Sequence, residues 1–261
     1  MTDALTRGAR FVAVLLLTLA LAAMYAAAAQ AEPQIKVNCN IYDTNRVDPI
    51  AYSAHLHHQF GNTSTTNQST ADSLFSNTRT SCDANWFTSA GWFPEERNEP
   101  TKGVNVYYRA PGDQRAIRPI PKGLELLSYK QMYNCNEGPF QNKPVYDCRG
   151  NFGTRLVFPD CWNQKSLQET STVPSNNRGQ CPATHPYRIP RILYLVMHDN
   201  ADGRVANPLQ VSAGVDSWAS YDSMHGDYFA ANQPELNNEL LDLCLRNAPD
   251  SGALPARCGQ E

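Results

Sequence analysis

The chain has 261 residues, 41% of them hydrophobic and 18% charged, with eight cysteines and a formal net charge of −3. That balance excludes the clustered basic footprint of a nucleic-acid binder, and no basic amphipathic helix marks a membrane-surface protein. The length suits one large all-β domain or two small ones.

The N-terminal stretch reads as an export signal. Arg7 and Arg10 precede an apolar run from Phe11 to Ala29, broken only by Thr18, and Ala29-Gln30-Ala31 supplies the small residues of a cleavage site. A retained anchor is the alternative, because the run approaches the ~20 residues that a membrane span needs. The expectation is cleavage: signal peptide 1–31, a single β-rich domain over 32–261, no membrane association afterwards, and an extracellular or cell-wall location.

Beyond Glu32 the chain is rich in Asn, Ser, Thr, Pro and aromatics and carries no repeat or long linker. Two sequons, Asn62-Thr63-Ser64 and Asn67-Gln68-Ser69, matter only in a host that glycosylates. Ser69 to Ser76 reads as a short helix behind a polar start. Val104 to Tyr108 alternates and stops at Pro111-Gly112, as a strand does. Leu124 to Tyr129 and Arg155 to Phe158 read as further strands. Arg191 to Met197 is apolar on both faces, as a central strand is, and Leu209 to Ser212 is a short strand. Pro234 to Arg246 reads as a helix with Leu236, Leu240, Leu243 and Cys244 on its apolar stripe. The pattern predicts a mainly-β, single-domain, disulfide-bonded β-sandwich or jelly roll with irregular loops and a C-terminal helix.

Cys39, Cys82, Cys135, Cys148, Cys161, Cys181, Cys244 and Cys258 all follow the signal, and no Cys-x-x-Cys is present. An even count in an exported chain is a disulfide framework rather than a zinc or redox site. Short loops favour Cys135–Cys148, Cys161–Cys181 and Cys244–Cys258, which leaves Cys39 with Cys82.

The chemistry concentrates around His55-Leu56-His57-His58-Gln59-Phe60-Gly61, which holds half of the six histidines. In an extended chain His55 and His57 share one face and His58 takes the other. Two imidazoles on one face bind a metal, pass a proton or grip a hydroxyl-rich ligand; the bland alternative is hydrogen bonding to backbone carbonyls. Arg46 lies just upstream. A second constellation, Ser223-Met224-His225-Gly226-Asp227-Tyr228-Phe229, packs an imidazole, a carboxylate and a phenol around a glycine. Asp227 there is placed to fix an imidazole tautomer. His185, bracketed by Pro182 and Pro186, is a stiffly held imidazole or simply part of a rigid loop. His198 ends its strand and reads as a solvated side chain. Trp162 and Trp218 are flat rings suited to stacking on sugars, against the commoner alternative of core packing. Gly-x-Ser-x-Gly, His-Glu-x-x-His and P-loop patterns are all absent.

Arg46-Val47-Asp48-Pro49-Ile50, His55-Leu56-His57, Ile120-Pro121-Lys122-Gly123-Leu124, Phe158-Pro159-Asp160-Cys161-Trp162, Cys181-Pro182 with His185-Pro186, and His225-Gly226-Asp227 occur in this order. Together they resemble the secreted fungal and bacterial family catalogued as domain of unknown function nineteen-ninety-six, over roughly Val37 to Arg246. Fungal members of that family are joined to cell-wall-binding modules of the WSC type, so the resemblance implies a polysaccharide or cell-wall context. Asn163 to Thr170 lacks the histidine pair that the family pattern places after Cys-Trp.

The expectation is a secreted protein that acts on or binds extracellular polysaccharide, by histidine-centred, lyase-like acid/base chemistry if it is an enzyme. A hydrolase is the other enzymatic form. The catalytic candidates are His55, His57, His225, Asp227, Tyr228 and Arg46, with Tyr228 or Arg46 steadying developing negative charge. Trp162, His185 and Trp218 are candidate substrate contacts. A divalent metal on His55, His57 and His225 is the candidate cofactor. The rival class is a non-catalytic carbohydrate-binding or adhesion module.

Overall fold

Apolar residues at every second position decide which face of each strand is buried, and here they build two facing sheets. The computed structural model describes residues 33–48, 52–97, 101–146, 148–198, 209–214, 216–231, 238–248 and 258; the stretch expected to be an export signal and Leu236 lie outside them. In chain order the strands are β1 (Gln34–Cys39), β2 (Asp43–Val47), β3 (Tyr52–Gly61), β4 (Ala90–Pro94), β5 (Thr101–Arg109), β6 (Glu125–Leu127), β7 (Lys130–Cys135) and β8 (Phe152–Val157). They continue with β9 (Cys161–Trp162), β10 (Thr172–Val173), β11 (Tyr187–Arg188), β12 (Arg191–His198), β13 (Gln210–Ser212), β14 (Trp218–Ser220) and β15 (Asp227–Phe229).

One five-stranded sheet has the order β1-β5-β12-β8-β7 and the other β2-β3-β4-β15-β6, with small sheets β10-β9-β11 and β13-β14 beside them. Every described pairing between these strands is antiparallel. Val104, Val106 and Tyr108 of β5 and Ile192, Tyr194 and Val196 of β12 point inward and are fully buried. Phe60 of β3 and Phe93 of β4 meet them from the other sheet, and the Phe60 and Tyr194 rings pack edge-on at 4.9 Å. Burying each such aromatic is worth about 1.5–3 kcal/mol. Two phenols cross the core with polar business: Tyr194 donates to the Asp227 carbonyl at 2.8 Å, and the Tyr108 and Tyr228 hydroxyls lie 3.3 Å apart. β12 is the central strand, as its two-sided apolar run requires.

Helix α1 (Ala71–Phe75) begins at Thr70, whose side chain and that of Ser73 form a reciprocal cap, and it buries Leu74. Helix α2 (Asn238–Leu241) runs into a π-helical turn, Asp242–Arg246. The wider turn rotates the stripe. Leu240, Leu241, Cys244 and Leu245 are buried, whereas Leu243, expected on the stripe, is 37% exposed. The cysteines pair as Cys39–Cys82, Cys135–Cys148, Cys161–Cys181 and Cys244–Cys258. No helix among the described residues is long and apolar enough to cross a membrane.

Two local expectations are corrected. His198 is buried rather than solvated, because its strand is central. Its ring nitrogens lie 3.3 Å from Glu96 Oε2 and 3.3 Å from Thr154 Oγ1. Asn62 of the first sequon is also fully buried, with Nδ2 donating to the carbonyls of Leu74, Asn77 and Thr88. Its side-chain nitrogen is not available to a glycan.

Candidate metal centre

Alternation along β3 sends His58 and Phe60 inward and His55, His57 and Gln59 to the outward face of their sheet. Gly61 ends this strand at φ +86°, and a Cβ there would meet the Ser89 carbonyl at 2.3 Å, so only glycine serves. Register aligns Gln59 with Trp92 of β4, and Trp92 with Asp227 of β15. These three side chains therefore share the face of His57.

Gly226 brings the second constellation in. A Cβ on it would lie 2.9 Å from Leu156 Cδ1, 3.1 Å from Phe158 Cζ and 3.1 Å from Tyr194 Cδ2. The bare backbone sits against the core, and Ser128 holds it there. The Ser128 Oγ accepts from Gly226 N–H and the Ser128 N–H donates to the Gly226 carbonyl, each at 2.8 Å. His225 and Asp227 flank this fixed point.

The outcome is one imidazole cluster. His55, His57 and His225 each offer a ring nitrogen, and these atoms all lie within 4.8 Å of one another. Ring centroids are 4.4 Å apart for His55–His57, 5.4 Å for His55–His225 and 6.2 Å for His57–His225. Nitrogens around a tetrahedral ion of zinc size sit roughly 3.4 Å apart, which follows from bonds of about 2.0–2.1 Å. Rotamer shifts of about an ångström close the difference.

The protonation states suit metal binding. His225 Nδ1 lies 2.8 Å from the Ser223 carbonyl. A carbonyl only accepts, so Nδ1 carries the proton and Nε2 presents its lone pair. Asp227 is thus not the group that orients His225: its Oδ2 lies 3.7 Å from Nε2, on the lone-pair side. Burial, then the His55 and His225 imidazoles, push His57 down to about 3 against a weaker pull from the Val47 backbone. Burial and then His225 also lower His55. Imidazoles held neutral are ligands without proton competition. Burial, then Asp48 and Glu169, push the Asp227 carboxyl well above the usual carboxylate range, and the same causes raise Glu125. A set of carboxylates that disfavour one another's ionisation is a setting that a cation relieves.

Unpartnered buried atoms mark the same patch. His55 Nε2, both ring nitrogens of His57, Gln59 Oε1, Trp92 Nε1 and Asp227 Oδ2 are buried without a well-formed hydrogen bond. Gln59 and Trp92 are 1% and 3% exposed, so water does not satisfy them from bulk. Leaving a buried polar atom unmade costs about 1–3 kcal/mol. Six in one patch is a concentration that a scaffold sheds unless a ligand meets them.

The other candidates lie apart. Arg46 is exposed on β2 and its Nε donates to the Ser53 carbonyl. Tyr228 points into the core, where its hydroxyl meets Ser89 at 3.0 Å. Trp162 is half-buried on β9, donating from Nε1 to the Ser166 carbonyl and packing edge-on against Tyr187. His185 makes local contacts with Thr184 and Pro182. Trp218 is half-buried on β14 beneath the Arg97 guanidinium. Gln59, Trp92 and Ser128, with the flanking Asp48, Glu125 and Glu169, were not among the candidate site residues, although Asp48 stands in the Arg46-Val47-Asp48-Pro49-Ile50 motif. Of the rest, only Gln59 carried a signal, two positions from His57 on an alternating strand.

Fold and site together define a disulfide-stapled, antiparallel β-sandwich that gathers three histidines and a carboxylate on the outward face of one sheet. The chain belongs to the family described as a domain of unknown function (DUF1996), whose profile matches residues 46–231. No curated protein and no solved structure matches it.

Proposed function

We propose that this is an extracellular protein that acts on polysaccharide through a divalent transition-metal centre held by His55, His57 and His225, with Asp227 as the fourth donor. The observation that carries the metal is the convergence of three imidazoles, two of which, His55 and His57, hold buried ring nitrogens without a well-formed hydrogen bond, while His225 Nε2 faces Asp227. Imidazole with carboxylate suits zinc, copper, iron, nickel or manganese, and not calcium or magnesium, which take oxygen ligands.

The bound ion supplies Lewis acidity toward a substrate oxygen. The chain's own residues do the rest. Ser223 fixes His225 in the tautomer that presents Nε2. Asp227, whose carboxyl is held neutral by burial and by its acidic neighbours, would be the carboxylate donor to that ion. Gln59 Oε1 and Trp92 Nε1, an acceptor and a donor on paired strand positions, match the two hydrogen-bonding functions of a sugar hydroxyl. The polysaccharide reading further rests on four disulfides in a β-sandwich behind an export-type segment. The non-catalytic alternative calls for a row of exposed aromatics. Among the described residues Trp86, Trp92, Trp162 and Trp218 are all buried or half-buried, and the exposed rings are Tyr129 and Tyr146.

The test is elemental analysis of protein purified without chelators, followed by product analysis on neutral and uronate polysaccharides with and without metal. Near-stoichiometric metal, lost in His55→Ala and His225→Ala, together with metal-dependent products, is the expected result. Protein that neither retains nor is stabilised by any first-row divalent ion refutes the centre. Metal binding without a polysaccharide product confines the protein to a different substrate.

A further inference from the structure

The outward face of the other sheet carries a feature that the histidine centre does not use. Alternation on β1, β5 and β8 puts Lys36, Asn105, Tyr107, Arg109 and Arg155 on that face, opposite the buried Ile35, Val104, Val106 and Leu156. A cavity of about 470 Å³ opens there, lined among others by Lys36, Lys102, Asn105, Tyr107, Asn134 and Phe140. That volume falls within the ~300–1,000 Å³ of small-ligand sites. Glu137 is its single lining carboxylate.

Two observations indicate a ligand. Asn105 is 8% exposed, lines the cavity, and has no hydrogen-bond partner for Oδ1; its Nδ2 reaches only the Met197 sulfur at 3.5 Å. In addition, Lys36, Lys102, Arg109 and Arg155 have no carboxylate within 4.0 Å among the described residues. Two of these cations lie over rings instead: Arg155 over Phe140 at 3.4 Å, and Arg109 over Tyr107 at 5.6 Å. Burial, and after it the Arg109 charge, push the Arg155 guanidinium down to about 10.

We propose that this face is a second binding site, independent of the histidine centre, for a segment of acidic polysaccharide whose uronate carboxylates meet Lys36 and Lys102. Asn105 and Asn134 then serve the sugar hydroxyls. Charge complementarity selects an anion, and the buried amides among the cations select a hydroxyl-rich one. A nucleic acid is a poor occupant for a chain of net charge −3.

Titration calorimetry with a uronate hexasaccharide and with its methyl-esterified counterpart tests this. The free-acid form binds, the ester binds about tenfold or more weakly, and a Lys36→Ala/Lys102→Ala double variant loses about tenfold or more, as expected for contacts to charged groups. Asn105→Ala weakens both sugars, and Lys165→Ala, at an exposed lysine that does not line the cavity, leaves both affinities unchanged. Equal binding of acid and ester, or an unaffected double lysine variant with a wild-type melting profile, overturns the proposal. So does polyglutamate or single-stranded DNA binding as tightly as the uronate, since that shows charge attraction alone. A loss of uronate binding in Lys165→Ala as large as in the double lysine variant also overturns it.

Discussion

Replacing His57 with leucine separates a histidine kept for function from one kept for structure. His57 is 2% exposed and neither ring nitrogen has a well-formed hydrogen bond. An unmet buried polar atom costs about 1–3 kcal/mol, and burying a leucine of similar bulk contributes about 1.5–3 kcal/mol. After an allowance of up to ~1.5 kcal/mol for imperfect shape, metal-free His57→Leu gains on the order of 1–3 kcal/mol. In a domain of this size that raises Tm by about 2–12 °C. With metal at a thousand times Kd the order reverses, because wild type gains about 4.1 kcal/mol from binding and the variant does not. Thermal melts in chelator and in each of zinc, copper and manganese make the comparison. The reasoning fails if His57→Leu melts lower than wild type in chelator and still shows the metal-induced rise.

The acid limb of the stability curve tests the same residue by titration. The folded His57 imidazole, at about 3, sits below the usual 6.5, so its contribution is complete above pH 6.5 and is lost as pH falls toward 3. Metal-free wild type loses about 1.4 kcal/mol per pH unit from this group across that window, and urea melts of His57→Leu between pH 6 and 4 show a slope flatter by that amount. Asp227→Asn weakens metal binding about 10–100-fold in chelator competition; an unchanged affinity removes Asp227 from the donor set. Gly226→Ala forces a methyl against Leu156, Phe158 and Tyr194 and costs about 1–3 kcal/mol in denaturant melts. It also weakens the metal without touching a ligand, and wild-type values for both measurements would show slack where a tight contact is drawn.

Much of the fold was legible because its signals are local. Two-residue alternation marked β5, the long apolar run marked β12 as central, short loops marked the cysteine pairs, and a polar start before Leu74 and Phe75 marked α1. The same alternation placed His55 and His57 on one face. Applied to Asp227, it also separates Tyr228 from it: neighbours on a strand face opposite ways, so a carboxylate turned to the site leaves the phenol in the core. What stayed hidden depends on pairing between distant strands. Nothing local to Trp92 says that it stands beside both Gln59 and Asp227; that follows from β4 lying between β3 and β15. His198 looked like a strand-end residue until β5 and β8 were set on either side of it. Leu243 was misplaced because a helical stripe assumes a constant turn and the chain widens to a π turn there.

The protein carries its own control for the histidine centre. His58 adjoins His57 on β3 and its pKa is likewise pushed down by burial, to about 4, yet its Nδ1 lies 2.8 Å from the Thr44 hydroxyl. His198 is more deeply enclosed than His58; its Nε2 meets the Thr154 hydroxyl at 3.3 Å, and its Nδ1, without a well-formed hydrogen bond, faces the Glu96 carboxylate at 3.3 Å. The scaffold therefore gives each of these two imidazoles at least one side-chain hydroxyl as a hydrogen-bond partner. Around His57 it does the opposite. Two further imidazoles are turned toward it, an unmet amide oxygen and an unmet indole N–H stand on adjoining strands, and a carboxylate whose ionisation its neighbours oppose completes the ring. Chance misfit scatters such defects; here they face one another across a space that a single cation and a hydroxyl-bearing ligand satisfy together.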